Sequence, residues 1–303
     1  MPSIVLTTCN AWPELSAGDA PLARALSEVR GAKVVSARWN APEDQPVFAA
    51  ADAIVLRSNW DYHHAPAAFA GWLGWLEAQG KPVFNTPALV RWNLEKAYLL
   101  ELAAHGVAVP TTYVVQNEPG AIAAAVREFA GAPVVIKPAV GASGHEVYKA
   151  TAASLDAVIA QLRAGVPERR LLVQEFLPEI AAGERAFVFI EGAFTHAFLR
   201  QPDTARRLEN DPSEAEFRAN SQHGVRVSLL ADLPPAQIAQ ARAVLNVLPE
   251  LPLYARVDGV FRDDRLVLTE LELNEPSLRL DLWPVAAERF AAAIMRRLAA
   301  SRG

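Results

Sequence analysis

The segment LTELELNEPSL, Leu268 to Leu278, carries Glu270, Glu272, Asn274 and Glu275 in a stretch otherwise rich in leucine. Alternate residues of a strand share a face, so Glu270, Glu272 and Asn274 point one way and Val267, Thr269, Leu271 and Leu273 the other. The preceding stretch LYARVDGVF divides in the same manner: Tyr254, Arg256 and Asp258 face one side, while Ala255, Val257, Gly259 and Phe261 face the other. Asp263-Asp264 supplies the turn of a hairpin between them. The pairing predicts that Arg256, Asp258, Glu270, Glu272 and Asn274 converge across two neighbouring strands. Carboxylates held so close repel, which makes sense chiefly if a cation sits among them. An all-oxygen donor set, with no Cys or His at ligand spacing, selects a hard ion, and Mg²⁺ bridging phosphates is the commonest user of such a set. The alternative that this segment leaves open is a solvated edge hairpin with ordinary surface charges.

A second group lies in APVVIKPAVGASGHEVYKA, where a hydrophobic strand ends in Lys137 and passes into Gly141-Ala142-Ser143-Gly144. Small residues let backbone N–H groups approach an anion, and the Ser143 hydroxyl adds a donor. The P-loop order of glycines, lysine and hydroxyl is absent, and a strand follows, not a helix. A plain hairpin turn uses the same residues. Lys96 in NLEKAYLL and Lys137 are point charges suited to phosphate oxygens, while Arg200, Arg218 and Arg256 suit a transferring phosphoryl group and its oxyanion. His63-His64 reads as a solvated loop, and no histidine pairs with a nucleophile. Cys9, the single cysteine, excludes an internal disulfide and any Cys-rich zinc module.

The elements that must carry these residues are legible in outline. At 303 residues, 51% of them hydrophobic, the chain can bury two or three packed units. A net charge of −5 with dispersed basic residues leaves no footprint for nucleic acid and no polybasic membrane patch, and no window reaches the ~20 apolar residues of a membrane span. A small-molecule partner and a cytoplasmic location are expected. SIVLTTC, KVVSAR and AIVLRSN read as strands alternating with helices, with Asp19 as an N-cap and Phe69, Trp72, Leu73 and Leu76 on one helical face. That is an α/β unit with a parallel sheet. One helix is expected from Pro87 to Gly106. VPTTYVV to LLVQEFL reads as strand, helix, strand, small-residue loop, strand, helix, strand. A hairpin turning at Glu191-Gly192, a helix at PAQIAQARAVLNVL, the acidic hairpin and a closing helix complete the chain.

The order of a helix lysine, a strand lysine, a small-residue loop, a Glu-aromatic-Leu segment, then Asp and Glu-x-Asn resembles the ATP-grasp superfamily, over most of the chain. FIEGAFTHAFLRQP and EFRANSQHGV resemble its glutathione-synthetase-like carboxylate-amine ligase branch, and LRSNWDYHH looks like the bacterial group that includes a cycloserine-forming ligase. The resemblance implies an ATP-grasp fold: a Rossmann-like substrate unit at 1–84, a small lid unit at 85–178 and a metal-bearing unit at 179–303. It implies ATP held by Lys96, Lys137, the Gly141, Ala142, Ser143 and Gly144 loop, Gln174, Glu175, Phe176, Leu177 and Glu184. Mg²⁺ or Mn²⁺ falls on Asp258, Glu272 and Asn274, with Glu270 ranked as a spare carboxylate. Arg256, Arg200 and Arg218 become the residues on the transferred phosphoryl group. In an open α/β unit the ligand meets the carboxyl ends of the strands, which puts Asn10 and Trp12, then Arg57, Ser58, Asn59, Trp60 and Tyr62, near an amino-acid or peptide substrate, with Arg57 or Ser58 on its carboxylate. The implied reaction activates a carboxylate as an acyl phosphate for attack by an amine, in one molecule or two. A carboxylase, a phosphotransferase and a nucleotide-binding regulator are the alternatives, and a homodimer is allowed.

Overall fold

Three β-sheets follow one another along the chain in a computed structural model that describes residues 1–142, 144–165, 168–202 and 225–302. Ser143 and Arg218 therefore lie outside the described residues. The first sheet has β1 (Ser3–Thr8), β2 (Lys33–Arg38), β3 (Ala53–Val55) and β4 (Val83–Phe84) in the order β2-β1-β3-β4, all parallel. Its central strands are buried on both faces, as a parallel sheet between helix layers demands. Its crossovers contain α1 (Ala20–Arg24), which continues as a π-helical turn over Ala25–Val29, then α2 (Gln45–Ala50) and α3 (Pro66–Ala78). Helices α4 (Pro87–Leu94) and α5 (Tyr98–Ala104) lead to the second sheet. There β5 (Thr112–Gln116), α6 (Pro119–Arg127), β6 (Val134–Pro138), β7 (Tyr148–Ala150), α7 (Leu155–Ala164) and β8 (Arg170–Glu175) form the antiparallel order β5-β8-β6-β7. The third sheet, order β11-β10-β9-β12-β13, is antiparallel throughout. It joins β9 (Glu184–Ile190), β10 (Ala193–Pro202), β11 (Val225–Leu230), β12 (Tyr254–Arg262) and β13 (Arg265–Glu272). Helix α8 (Pro235–Leu245) precedes β12, and α9 (Pro284–Ala300) closes the chain. The expected parallel unit followed by α+β units is what forms.

The closing helix joins the first sheet to the third. Phe290, Ile294 and Leu298 of α9 belong to one buried cluster with Ile4, Leu6 and Val55 of the first sheet and Ala186, Val188 and Ile190 of β9. Each large apolar side chain so buried contributes about 1.5–3 kcal/mol of transfer free energy. Phe48, Phe69, Trp72 and Leu94 cover the opposite face of the first sheet.

Three local expectations change. The helix from Pro87 breaks at Glu95–Ala97, because the Lys96 amide donates to the Ala139 carbonyl (2.7 Å), beyond β6, and not to its own helix. Asp19 stands at the N-cap of α1 but its carboxylate makes no cap; it accepts from Arg57 (2.8 Å) and Ser58 (2.9 Å). The third change concerns the acidic hairpin. Asp263 and Asp264, both at positive φ, form its turn, and Arg256 stands opposite Glu272 and Asp258 opposite Glu270. Gly259, however, stands opposite Leu268, so Thr269 is an extra residue. A bulge resets the alternation. Leu266 and Leu268 thus share the core with Leu271, Val267 turns to Leu177 and Val260, and Thr269 joins the acidic face and donates to Glu184. Val267 and Thr269 do not share the face of Leu271.

The bulge needs a residue without a side chain beside it. A Cβ on Gly259 would stand 2.6 Å from the Val267 carbonyl oxygen. We expect Gly259→Ala to cost about 1–3 kcal/mol in chemical denaturation; unchanged stability would mean that the strand spacing is looser than described.

Candidate active site

The third sheet gathers its charges on the face opposite its apolar core. Arg256 donates from Nε to Asp258 Oδ1 (2.9 Å), from Nη2 to Asp258 Oδ2 (2.8 Å) and to Glu272, and from Nη1 to the Ser277 carbonyl (3.0 Å). Arg200 on β10 bridges Glu184 (3.1 Å) and Asp258 (3.2 Å). Lys96 pairs with Glu270 (2.9 Å) and donates to the Gly141 carbonyl (2.5 Å), which ties the break between α4 and α5 to the small-residue loop. Asp258, Glu270 and Glu272 offer ligand atoms within 4.8 Å of one another. Beside them the buried Asn274 Oδ1 has no hydrogen-bond partner among the described residues. An all-oxygen set with one orphaned buried carbonyl oxygen fits a hard divalent cation.

The electrostatics follow from burial and neighbours. Burial pushes the Glu272 carboxyl up; Arg256 opposes this, while Glu270 and Asp258 add like charge. Burial acts on Glu270 too, but Lys96 and Lys137 outweigh it and hold that carboxyl well below the usual range. Burial also drives Glu275 up, to about 7, against the pull of Lys96. Lys137 moves down because burial exceeds the attraction of Glu270. Protein cations thus neutralise much of the acidic face, and the carboxylates remain in excess.

This face floors a cleft of about 330 Å³, the size of a small-molecule site. One wall carries Lys137, Gly141, Ala142 and Gly144, together with Gln174, Glu175, Phe176 and Leu177 at the end of β8. Gln174 donates to Thr112 (2.8 Å), Glu175 pairs with Arg262 (2.8 Å), and the Lys149 ammonium lies 4.1 Å from the centre of the Phe176 ring. Arg200, Arg256, Glu184, Glu272 and Asn274 also line the cleft.

The first sheet delivers fewer of its expected residues. Tyr62 reaches the cleft, as do Trp12 and Trp60. Asn10 lies in a separate depression, bonded to Asn40 (2.9 Å). Asn59 is buried and accepts from Thr7. Arg57 is 1% exposed, donates to Asp19 and to the Pro276 carbonyl (2.7 Å), and leans on the rings of Tyr254 and Phe290. Ser58 joins it on Asp19. Both therefore serve an internal carboxylate, because Asp19 reaches across from the start of α1. His63 and His64 are not simply solvated either: their rings meet His145 of the small-residue loop at 5.5 and 5.6 Å between centroids. Burial, with the two neighbouring rings, lowers His63 to about 4.

Comparison with known proteins decides the family. Residues 95–248 match the prokaryotic glutathione synthetase ATP-grasp domain, and residues 4–85 match the N-terminal domain of the D-cycloserine synthetase DcsG. The cycloserine biosynthesis protein DcsG of Streptomyces lavendulae is 32% identical over 265 residues, 82% of this chain and 83% of that protein. The chain is an ATP-grasp ligase. A crystal structure of D-cycloserine synthetase DcsG superposes with a TM-score of 0.81 at 26% identity, covering 98% of this chain and 99% of that one. The D-alanine–D-alanine ligase of Bacillus anthracis, at 14% identity and a TM-score of 0.71 over 100% of this chain and 98% of its own, shares the fold.

Several residues of this ATP-grasp site escape sequence reasoning. Asn93 of α4 donates to the Leu271 carbonyl (2.8 Å) and accepts from the Leu273 amide (2.9 Å), while the Tyr98 hydroxyl bonds both backbone groups of Leu271 (2.9 Å each). Asn85, after β4, does the same for Leu253, Tyr254 and Leu273. These side chains fix the strand that presents Glu272 and Asn274. An asparagine within an apolar stretch, as at Asn85 and Asn93, is the signal that could have flagged two of them. No helix among the described residues is long and apolar enough to cross a membrane.

Proposed function

We propose that this ATP-grasp ligase activates a small amino-acid-like carboxylate as an acyl phosphate and joins it to an amine nitrogen. Residues 1–84 serve as the substrate unit, 85–178 as the lid and 179–303 as the metal-bearing unit in this reading. The observation that carries it is the acidic cluster of Asp258, Glu270 and Glu272 with the orphaned Asn274 oxygen, in a cleft that also holds Lys96, Lys137, Arg200 and Arg256. Asp258, Glu272 and Asn274 would hold Mg²⁺ or Mn²⁺, with Glu270, tied to Lys96, as their neighbour. The ion, when bound, neutralises phosphate oxygens as a Lewis acid.

Lys96 and Lys137 orient the triphosphate, and the wall from Gln174 to Leu177 receives the base. A carboxylate oxygen of the acid attacks the γ-phosphorus, and the bond to the bridging oxygen breaks as ADP leaves. The amine nitrogen then attacks the acyl carbon, phosphate departs with the C–O bonding pair, and nitrogen loses a proton to solvent. Arg256 and Arg200 face the charge that develops on the transferring group; Arg218 is assigned to the same task from the sequence. No protein nucleophile is required, since alignment and charge neutralisation supply the acceleration. The similarity to proteins named for cycloserine favours an amine carried by the same molecule, so that ligation closes a ring.

The test is a survey of amino acids and small peptides with ATP and Mg²⁺, read by ADP and phosphate release. Hydroxylamine would trap any acyl phosphate as a hydroxamate. Release should require a carboxylate and stop with a chelator. Phosphoryl transfer to an alcohol, or release indifferent to carboxylates, would replace this reading with a phosphotransferase.

A further inference from the structure

Among the described residues five carboxylates line the cleft, and four of them have an ion-pair partner. Glu175 has Arg262, Glu184 has Arg200, Glu270 has Lys96 and Glu272 has Arg256. The fifth, Glu275, is 8% exposed, and among the described residues no Lys, Arg or His nitrogen stands within ion-pair distance of it. The Tyr62 hydroxyl stands beside its carboxylate and opposes the upward push of burial. Lys96 and Arg256 act on this carboxylate only without direct pairing, and burial outweighs them, so part of its desolvation cost stays uncompensated and an incoming cation would remove it.

The surroundings indicate which cation. Trp12, Trp60 and Tyr62 form the neighbouring corner of the cleft. The Trp60 indole N–H donates to the Glu275 carbonyl (3.0 Å), which anchors that ring to the same residue, and Trp12 meets Trp60 edge-on at 5.7 Å and 78°. A hard metal ion seeks several oxygens, and this corner offers aromatic rings instead. A carboxylate at a corner lined by Trp12, Trp60 and Tyr62 suits an organic ammonium, held by charge at Glu275 and screened from water by the rings beside it. Glu275 follows Asn274 in the chain, so an ammonium there lies next to the place where the acid is activated. A single carbon between ammonium and carboxylate matches that adjacency.

We propose that Glu275, with Trp12, Trp60 and Tyr62, is the specificity-determining subsite for the α-ammonium group of the acid substrate. The orientation of the acid's carboxylate rests on the ligase reading above; binding of the ammonium does not.

Binding without turnover separates the two. The full chain, loaded with a non-hydrolysable ATP analogue and Mg²⁺, is titrated calorimetrically with D- and L-serine and D- and L-alanine. The same titration is run with glycerate and lactate, in which hydroxyl replaces ammonium. Serine or alanine should bind at least about tenfold more tightly than its hydroxy counterpart. Glu275→Gln should erase that preference and leave the Mg²⁺ midpoint for nucleotide binding unchanged. Trp12→Leu, at a half-buried ring, should weaken the preference partially and covers the case in which the Glu275 variant does not fold. Equal affinity for both series, binding of neither, or a Glu275→Gln effect confined to the Mg²⁺ midpoint would each overturn the subsite. Selective amino-acid binding without any ATP turnover would instead leave the subsite standing and remove the ligase reading.

Discussion

Asp258→Asn is expected to lower turnover on the order of 10³-fold while leaving the chain folded. Asp258 is fully buried, and both Arg256 and Arg200 donate to it. The substitution keeps the shape and removes the charge. Arg256 retains Glu272 and Arg200 retains Glu184, so neither guanidinium loses its last partner, and the sheet around them keeps its packing. What disappears is an anionic oxygen of the cluster that would hold the divalent ion, together with the charge that Arg256 and Arg200 share at Asp258. Steady-state rates at saturating ATP and Mg²⁺, alongside circular dichroism and thermal melting, separate the two effects. Glu272→Gln should follow the same pattern. Near-normal rates in both variants would remove the metal assignment.

The second large effect is on stability. Asp19→Ala should destabilise the protein by about 3–5 kcal/mol, because it strands the Arg57 guanidinium in the interior. Arg57 is 1% exposed, and its link to Asp19 ties the start of α1 to the end of β3. Combining Asp19→Ala with Arg57→Met should recover part of the loss, since removing both charges also removes the uncompensated one. Denaturant midpoints measure this. If the single variants instead raise the KM of the acid substrate with little change in stability, Arg57 contacts substrate and its pairing with Asp19 is incidental.

The two acidic arms and their turn were legible because that information is local. Alternation puts Arg256 with Asp258 on one arm and Glu270 with Glu272 on the other, but the register of the double-Asp turn, with Arg262 opposite Arg265, would carry Asp258 to Thr269; the bulge at Thr269 is what sets Asp258 opposite Glu270 and Arg256 opposite Glu272. The order of Lys96, Lys137 and the β8 segment was equally visible, since strand ends and small-residue loops are written in contiguous residues. The same period-two logic failed at Val267 and Thr269, where a single inserted residue shifts a side chain to the other face. No composition signal marks a bulge of this kind except the glycine opposite it. The Lys96 helix break was also hidden, because the competing acceptor, the Ala139 carbonyl, lies far along the chain.

Thus the amino-acid order by itself determined the elements, the donor chemistry of the cleft and the family resemblance, all of which depend on neighbours within a few positions. Only the tertiary structure decided which charges are spent inside the protein and which remain for a ligand. Arg57 looked available and is neutralised by Asp19; Glu275 looked like one acid among several and has no ion-pair partner among the described residues. The reason is physical: the partners that neutralise or wall a buried charge come from segments as distant as Trp60 and Glu275, 215 residues apart, and local periodicity carries no record of such pairings.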